Sequence, residues 1–501
     1  MLTSGAACIT LASNNTLRGF NLSNTGGTGL VGNNFGNLVV AETSVNNSNG
    51  AAINLNTGNP TATFTSVSAN GGTNGISLTS TTGSFAVTGT GGLCSAATPA
   101  CTGGTISNVT DTGVKLTNAS NITLTRMRVQ NSPNFGLNGS TVNTMNIDTC
   151  LFDGTHGSAI DEGAIFVTNW FGSGTISNSE ITGGANDNVR VTNTAGALNR
   201  LTISNTTIRD NSTVVPGNHG LRFATDVASG AGAGVVMNLT VTGSTFRNNH
   251  SNHIDTGATG QSTMDLVLDS NTFTSNATTL AGAVNITDDH QADVTFDVNS
   301  NTMNGAQLSA FNFFMSNQTT VAASMVGKFR NNIIGTSGVA GSGSAQGNGV
   351  DFTSTGLGTF TVNVTGNTVR QFAGIGIGFS GGDTSPRVNA TVTGNTIKEG
   401  DAVIGLNAIS FNMGSTAAGA VVACADLGGA GVLRNDVSGS VPNGTGEIRV
   451  RQRNSSTVQL PGLTGAVDAF LAGRNIVTNT AAVTFTGAFG NNGGAACTQA
   501  P

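Results

Sequence analysis

Leu201-Thr-Ile-Ser-Asn-Thr-Thr-Ile208 is the first of seven similar lines written between Leu201 and Lys398. It is answered by Leu239-Thr-Val-Thr-Gly-Ser-Thr-Phe246, Leu266-Val-Leu-Asp-Ser-Asn-Thr-Phe273 and Val294-Thr-Phe-Asp-Val-Asn-Ser-Asn-Thr-Met303. Val326-Gly-Lys-Phe-Arg-Asn-Asn-Ile333, Val362-Asn-Val-Thr-Gly-Asn-Thr-Val369 and Val388-Asn-Ala-Thr-Val-Thr-Gly-Asn-Thr-Ile397 complete the set. Each line reads as a short alternating strand, a tight polar turn and one buried hydrophobe. The closing hydrophobes recur every 27 to 38 residues. That period belongs to a stack of repeated coils rather than to a globular core.

A second strand follows most of these lines, as in Gly220-Leu-Arg-Phe223, Gly282-Ala-Val-Asn-Ile286, Gly349-Val-Asp-Phe352 and Gly374-Ile-Gly-Ile377. No repeat holds a run of helical periodicity. Stacked units of this kind set like strands side by side, about 4.8 Å apart, in parallel sheets that need no crossover helices. The fold expected is an all-β solenoid, a parallel β-helix, over residues 1–440. Residues 441–501 change texture. Glu447-Ile-Arg-Val-Arg-Gln-Arg453 brings three arginines into one alternating run, and Ala466-Val-Asp-Ala-Phe-Leu-Ala472 reads as a short helix capped by Thr464 and Gly473. This segment is expected to cap the open end of the stack.

Composition fits that reading. Only 9% of the 501 residues are charged and 5% aromatic, with 72 Gly, one Trp and no Tyr. Asn, Thr, Ser and Gly take the surface instead, as many turns and outward strand positions require. A net charge of -6 disfavours nucleic acid as a partner. No run of 18 or more apolar residues offers a membrane span. The start lacks a signal peptide, and Leu17-Arg-Gly-Phe-Asn-Leu22 is already within the repeat, so the chain reads as part of a longer exported precursor. Cys94 and Cys101 flank a loop that a local bridge would pinch, and Cys424 with Cys497 would tie the C-terminal tail to the last coils. Cys8 and Cys150 have no obvious mates, and no cysteine or histidine spacing suggests zinc. Longer coils must shed their excess as loops, expected at 93–103, 154–164, 212–219, 227–235, 277–282, 336–348 and 412–420.

The Gly-Asn-Thr-Val369 and Gly-Asn-Thr-Ile397 turns, with the Gly-apolar-any-apolar strands after them, resemble the right-handed parallel β-helix repeat proteins. That pectin-lyase-like superfamily includes pectin lyases, polygalacturonases and bacterial surface adhesins. The resemblance covers most of residues 15–440. It implies right-handed coiling, a secreted or cell-surface location and a carbohydrate or host-surface partner, and it is nearly silent on activity.

In such a fold the middle residue of each second strand points outward, and these residues stack into a ladder. Ser77, Lys115, Arg190, Arg222, Asp255, Asn285, Asn312 and Asp351 hold that position, with His219, Asn252, His253 and the triplet Asp288-Asp289-His290 nearby. Asp255, Asp288, Asp289 and Arg222 are the candidate catalytic set, because an acid pair with an arginine can run a hydrolase and paired carboxylates can hold calcium in a lyase. Arg190, His219, His253, Asn285, His290 and Asp351 are candidate binding residues. Polar groups at outward positions also occur by default, and Asp288-Asp289-His290 reads first as a turn on a solvated corner and only second as a site. The polygalacturonase order of Asn-Thr-Asp, Asp-Asp, Gly-His-Gly and Arg-Ile-Lys is not reproduced: Asn252-His-Ile-Asp255 and Asp288-Asp289 are loose echoes, and His219-Gly220 precedes them. Trp170 is either an exposed patch or core. Ice binding through a flat threonine array fits poorly, because Thr-x-Thr motifs do not recur in register. The expectation is therefore an adhesive or structural surface module that binds carbohydrate. The alternative is a polysaccharide lyase or glycoside hydrolase on acidic polysaccharide. No organic cofactor is implied.

Overall fold

At the corner of each repeat, one residue adopts a left-handed backbone and the next turns its side chain inward. Ser270, Ser300 and Asn331 have φ of 57°, 55° and 56°, and Gly366 and Gly394 of 68° and 66°. Asn, Ser and Gly tolerate this region best, which is why the lines vary among those residues there. The residue that follows is Asn271, Asn301, Asn332, Asn367 or Asn395, each at most 1% exposed. A left-handed residue thus sharpens the corner, and a buried amide seals it.

These corners belong to a computed structural model that describes residues 7–23, 26–212, 218–276, 279–318, 320, 322–382, 386–416, 420–441 and 445–501. The expected loops 212–219, 277–282 and 412–420 fall partly outside the described residues. The chain divides into two units, one of residues 1–223 and 236–251, the other of residues 224–235 and 252–501.

In the first unit the strand pairings between coils are parallel among the described residues. Ile53, Ile76, Val114, Leu137, Ile165 and Val189 stack in register through six coils. A second inward file runs Leu124, Ile147, Ile176, Ile203, Val241. Trp170 lies in this core at 0% exposure, so the exposed-patch reading is set aside. Gly174 makes room for it: a Cβ there would stand 2.2 Å from the indole.

In the second unit, Ile286, Phe313, Phe352, Phe379, Phe411 and Val450 share one inward row. The Phe313–Phe352 and Phe352–Phe379 rings stack at 4.8 and 4.9 Å, the spacing of the coils themselves. Each such ring contributes about 1.5–3 kcal/mol of burial. One line departs from the expected pattern. Ile333 is 48% exposed and Ile334 is buried, because Asn332 takes the corner-sealing place and Ile333 stands where the other lines have Thr.

The coiling continues past residue 440. Ile448–Gln452 pairs with Asn407–Met413, Thr457–Gln459 with Val422–Leu427, and Val483–Thr486 with Ile448–Gln452. The helix runs Val467–Arg474. Its expected caps differ: Ala466 is the N-cap without a side-chain bond, Asn475 is the C-cap, and Gly473 lies within the helix. Asn475 is held there because its amide belongs to the buried row of corner asparagines, bonding Asn435 at 2.8 Å and Leu471 O at 2.9 Å. Disulfides join Cys94 to Cys101 and Cys424 to Cys497, with Cα–Cα distances of 4.8 and 5.5 Å. No helix among the described residues is long and apolar enough to cross a membrane.

Candidate functional site

The strands Ile254–Ala258, Val284–Asp289, Phe311–Gln318 and Val350–Gly356 lie side by side in parallel. Alternation turns Val284 and Ile286 into the core, so Asn285 and its register partners face out. Asp255, Asn285, Asn312 and Asp351 therefore form one outward row over four successive coils. The row is bonded internally. Asn312 Nδ2 donates to Asn285 Oδ1 at 2.7 Å, and Asn285 Nδ2 donates to Asp255 Oδ1 at 2.8 Å. Asp351 accepts from Ser309 Oγ at 2.5 Å and from Asn348 Nδ2 at 2.6 Å. Burial raises its carboxyl above the ordinary aspartate range, opposed by those two bonds. Gly378 comes next in register, and a Cβ there would stand 3.0 Å from Asp351 Oδ1, so the glycine leaves one face of this carboxyl clear.

Beside this row runs a second, Thr287, Phe314, Thr353 and Ser380. Phe314 is half-buried and outward-facing. It is an aromatic face of the kind on which a sugar ring rests, set among hydroxyl and amide groups. Sequence reasoning missed it because Phe313-Phe314 reads as a core pair; strand parity is the signal that separates them.

The other expected residues are placed differently. Asp288 follows Val284 and Ile286 in the inward file and is 0% exposed, so it is no outward acid. His253 is also 0% exposed, with Nε2 2.9 Å from Ser275 Oγ and its ring against Phe273. Burial pulls it down to a pKa of about 3, so it is a neutral core residue rather than a groove ligand. Asp289 and His290 are half-buried at the strand's end. Asp289 accepts from Ser316 Oγ at 3.1 Å and from the His290 backbone at 3.0 Å, and His290 takes φ 66°. Asp288 and Asp289 thus end the strand and His290 opens the turn after it, with Asp289 presented at the strand's edge.

In the first unit, Arg190 is already spent. Its Nε donates to Asp187 at 2.6 Å, a second nitrogen reaches Asp161 at 3.1 Å and a third reaches Asn186, while the guanidinium lies 4.6 Å over the Phe166 ring. Asp187 is 0% exposed and also accepts from the His219 backbone at 2.9 Å. This is a buried structural knot, not an open site. Arg222 is exposed on Leu221–Thr225. It lies in the first unit and Asp255 in the second.

Thr-x-Thr does not recur from coil to coil in register, as expected: only Thr123/Thr125 and Thr240/Thr242 of the file below carry it. Thr123/Thr125, Asn146/Asp148, Thr175/Ser177, Thr202/Ser204 and Thr240/Thr242 stack over five coils. The file is broken by the Asp148 charge, which accepts from Ser177 Oγ at 2.8 Å.

No family model matches the chain, and no curated relative matches it. Among solved structures, a mutant tailspike protein of E. coli bacteriophage HK620 in complex with a pentasaccharide aligns over 97% of this chain and 68% of its own, at 12% identity and a TM-score of 0.24. The class is set by the coordinates themselves: an all-β solenoid whose coils, among the described residues, pair in parallel, with a polar outward strip. Among the described residues no cluster of three or more His, Cys, Asp or Glu is placed to hold a metal ion.

Proposed function

We propose that this chain is a secreted or cell-surface β-helical module that binds a glycan along the Asp255–Asp351 strip. The carrying observation is the four-coil row Asp255, Asn285, Asn312, Asp351 with Phe314 on the adjoining row. It offers carboxylate and amide groups at a regular rise of about 4.8 Å, beside one ring face. Two disulfides favour an oxidising, extracellular setting.

The hydrolase alternative needs two carboxylates about 5–9.5 Å apart. Asp255 and Asp351 are three coil steps apart, roughly 14 Å. Asp289 lies four residues along the strand from Asn285, roughly 13 Å beyond the row. Asp288 is inside. This spacing supports a binder over a two-carboxylate enzyme.

The test is a panel of pectic, alginate-like and neutral polysaccharides, with and without calcium, followed for binding and for new reducing or unsaturated ends. Binding that falls about tenfold in Asn285→Ala and Phe314→Ala, with the melting transition kept and no products formed, is expected. New ends that vanish in Asp255→Asn or Asp289→Asn would replace the binder by the enzyme.

A further inference from the structure

We infer that Arg449 and Arg451 form an oxyanion subsite at the C-terminal side of the same strip, taking a sulfate or carboxylate substituent of the bound glycan; the inference rests on the glycan-binding reading above. Both residues occupy outward positions of Ile448–Gln452 and are half-buried. Arg449 follows Ser410 and Arg451 follows Asn412 in register, and Thr484 and Thr486 come next on the following coil. Through Gly378 and Ser380 these are the same two rows that carry Asp351 and Thr353. Arg449 stands three coil steps from Asp351, roughly 14 Å, within the reach of a few sugar units lying along the rows.

Four other cations of this unit each hold a carboxylate. Arg330 holds Asp297 at 2.7 Å, Arg370 holds Glu399 at 2.5 Å, Lys398 holds Asp436 at 2.5 Å, and Arg474 holds Asp426. Among the described residues Arg449 and Arg451 have no carboxylate, and Arg449 meets only Thr445 Oγ1 at 3.2 Å. Glu447, two residues before Arg449, is turned inward and occupied by Thr478, through its backbone at 2.7 Å and its hydroxyl at 2.5 Å. Two guanidinium groups side by side on one strand repel each other, and an anion held between them removes that repulsion.

A second observation points the same way. Asn412 Oδ1 and Thr484 Oγ1, which adjoin the two arginines on either side, are buried atoms without a hydrogen-bond partner among the described residues. A buried polar group left unpaired destabilises the fold. The Thr484 hydroxyl, and the Asn412 amide turned end for end, are donors suited to the remaining oxygens of a sulfate or carboxylate.

The test uses the full chain and two matched pairs of polymers: dextran with dextran sulfate, and carboxyl-reduced alginate with alginate. Dextran sulfate or alginate should bind about tenfold tighter than its uncharged counterpart, the size of one charge-assisted pair. Arg449→Gln/Arg451→Gln should abolish that preference while leaving binding of the uncharged form intact. Arg387→Ala, which removes a charge from a different strand row, should leave the preference in place. Preference for the sulfated pair alone would assign the subsite to sulfate, and for the alginate pair alone to carboxylate. Equal binding of charged and uncharged forms would overturn the inference and leave the strip standing. So would an Arg387→Ala effect as large as that of the double variant, since a diffuse field would then suffice. Absence of binding to all four polymers would remove the strip and the subsite together.

Discussion

Asn332 Oδ1 accepts two hydrogen bonds from Asn301, one from the backbone N–H at 2.9 Å and one from Nδ2 at 3.0 Å. The same double acceptance joins Asn332 to Asn367, Asn367 to Asn395 and Asn395 to Asn435. In the first unit the same corner is sealed more weakly. There the backbone N–H of Cys150 donates to Ser179 Oγ at 3.0 Å, and that of Thr206 donates to Ser244 Oγ at 3.2 Å. Replacing Asn332 by Ala would take the acceptor from the Asn301 backbone N–H and the Asn332 Nδ2 donor from Val298 O in a dry interior, while Asn301 Nδ2 keeps Leu268 O at 2.8 Å and Asn299 O at 3.0 Å. The expected cost is about 2–4 kcal/mol, read as a shift of the urea midpoint of the second unit. Asn332→Ser should recover part of that loss, since serine seals the same corner in the first unit. A serine variant no better than alanine would disprove the sealing role.

The buried histidines set the acid limit. Burial drives His156 and His253 down to about 3, each from an ordinary value of 6.5. Above pH 6.5 both are neutral in the folded and unfolded chain and exert no pH dependence. As pH falls from 6.5 toward 3, only the unfolded chain takes up the protons, so stability declines through that window by a few kcal/mol per histidine. Melting temperature against pH should bend downward near 6.5, and His156→Phe should flatten the bend. A curve unchanged by that substitution would exclude His156 as a source.

Glu399 is the latch of the 336–348 loop. Its carboxylate accepts from Ser337 Oγ at 2.7 Å and from Gly338 N at 2.9 Å, with Gln371 and Arg370 at 2.6 and 2.5 Å. Those bonds, Ser337 first, hold it at about 2. The latch is complete above an ordinary glutamate value and is lost as pH falls through 2. Glu399→Ala should speed amide exchange at 336–348 at least tenfold and leave the core strands unchanged. Equal protection in the variant would show that the loop holds itself.

The Cys424–Cys497 bridge spans 73 residues and holds the tail against the outer face of the sheet. Gln499 reaches Thr391 Oγ1 at 2.7 Å, and the Ala500 backbone meets Asn363 at 3.3 Å. Thr361 is 3% exposed although it stands at an outward position. Cys497→Ser should lower stability by about 2–4 kcal/mol and open Arg474-to-tail peptide bonds to protease. Unchanged proteolysis would mean that the polar contacts alone retain the tail.

Much of this was legible in the chain because each coil is sealed by local chemistry. The left-handed corner demands Gly, Asn or Ser, and the strand demands alternation, so the seven lines announce themselves. Polar residues were harder to place. Asp288 continues the inward file of Val284 and Ile286, although its chemistry alone reads as surface. His253 precedes the strand beside inward Ile254, where parity would turn it out, and only Ser275 and Phe273 of the folded corner take it inside. Strand parity outranks residue polarity where the side chain is held inside. The inward Asn of each turn was equally visible, as the residue after the left-handed one. Its role emerges only when neighbouring coils supply the acceptors. Arg190 could not be read from spacing, because Asp161 lies 29 residues away from it.

The asparagine row has one further consequence. Backbone amides in a parallel sheet alternate in direction and their dipoles largely cancel. The side-chain carbonyls from Asn301 to Asn475 do not alternate: each points back toward the preceding coil, as the carbonyls of a helix point along its axis. The interior of the second unit therefore carries a built-in polarity, negative toward Asn271 and positive toward Asn475. Inverting one coil would put two carbonyls head to head, so the row fixes a direction as well as a spacing.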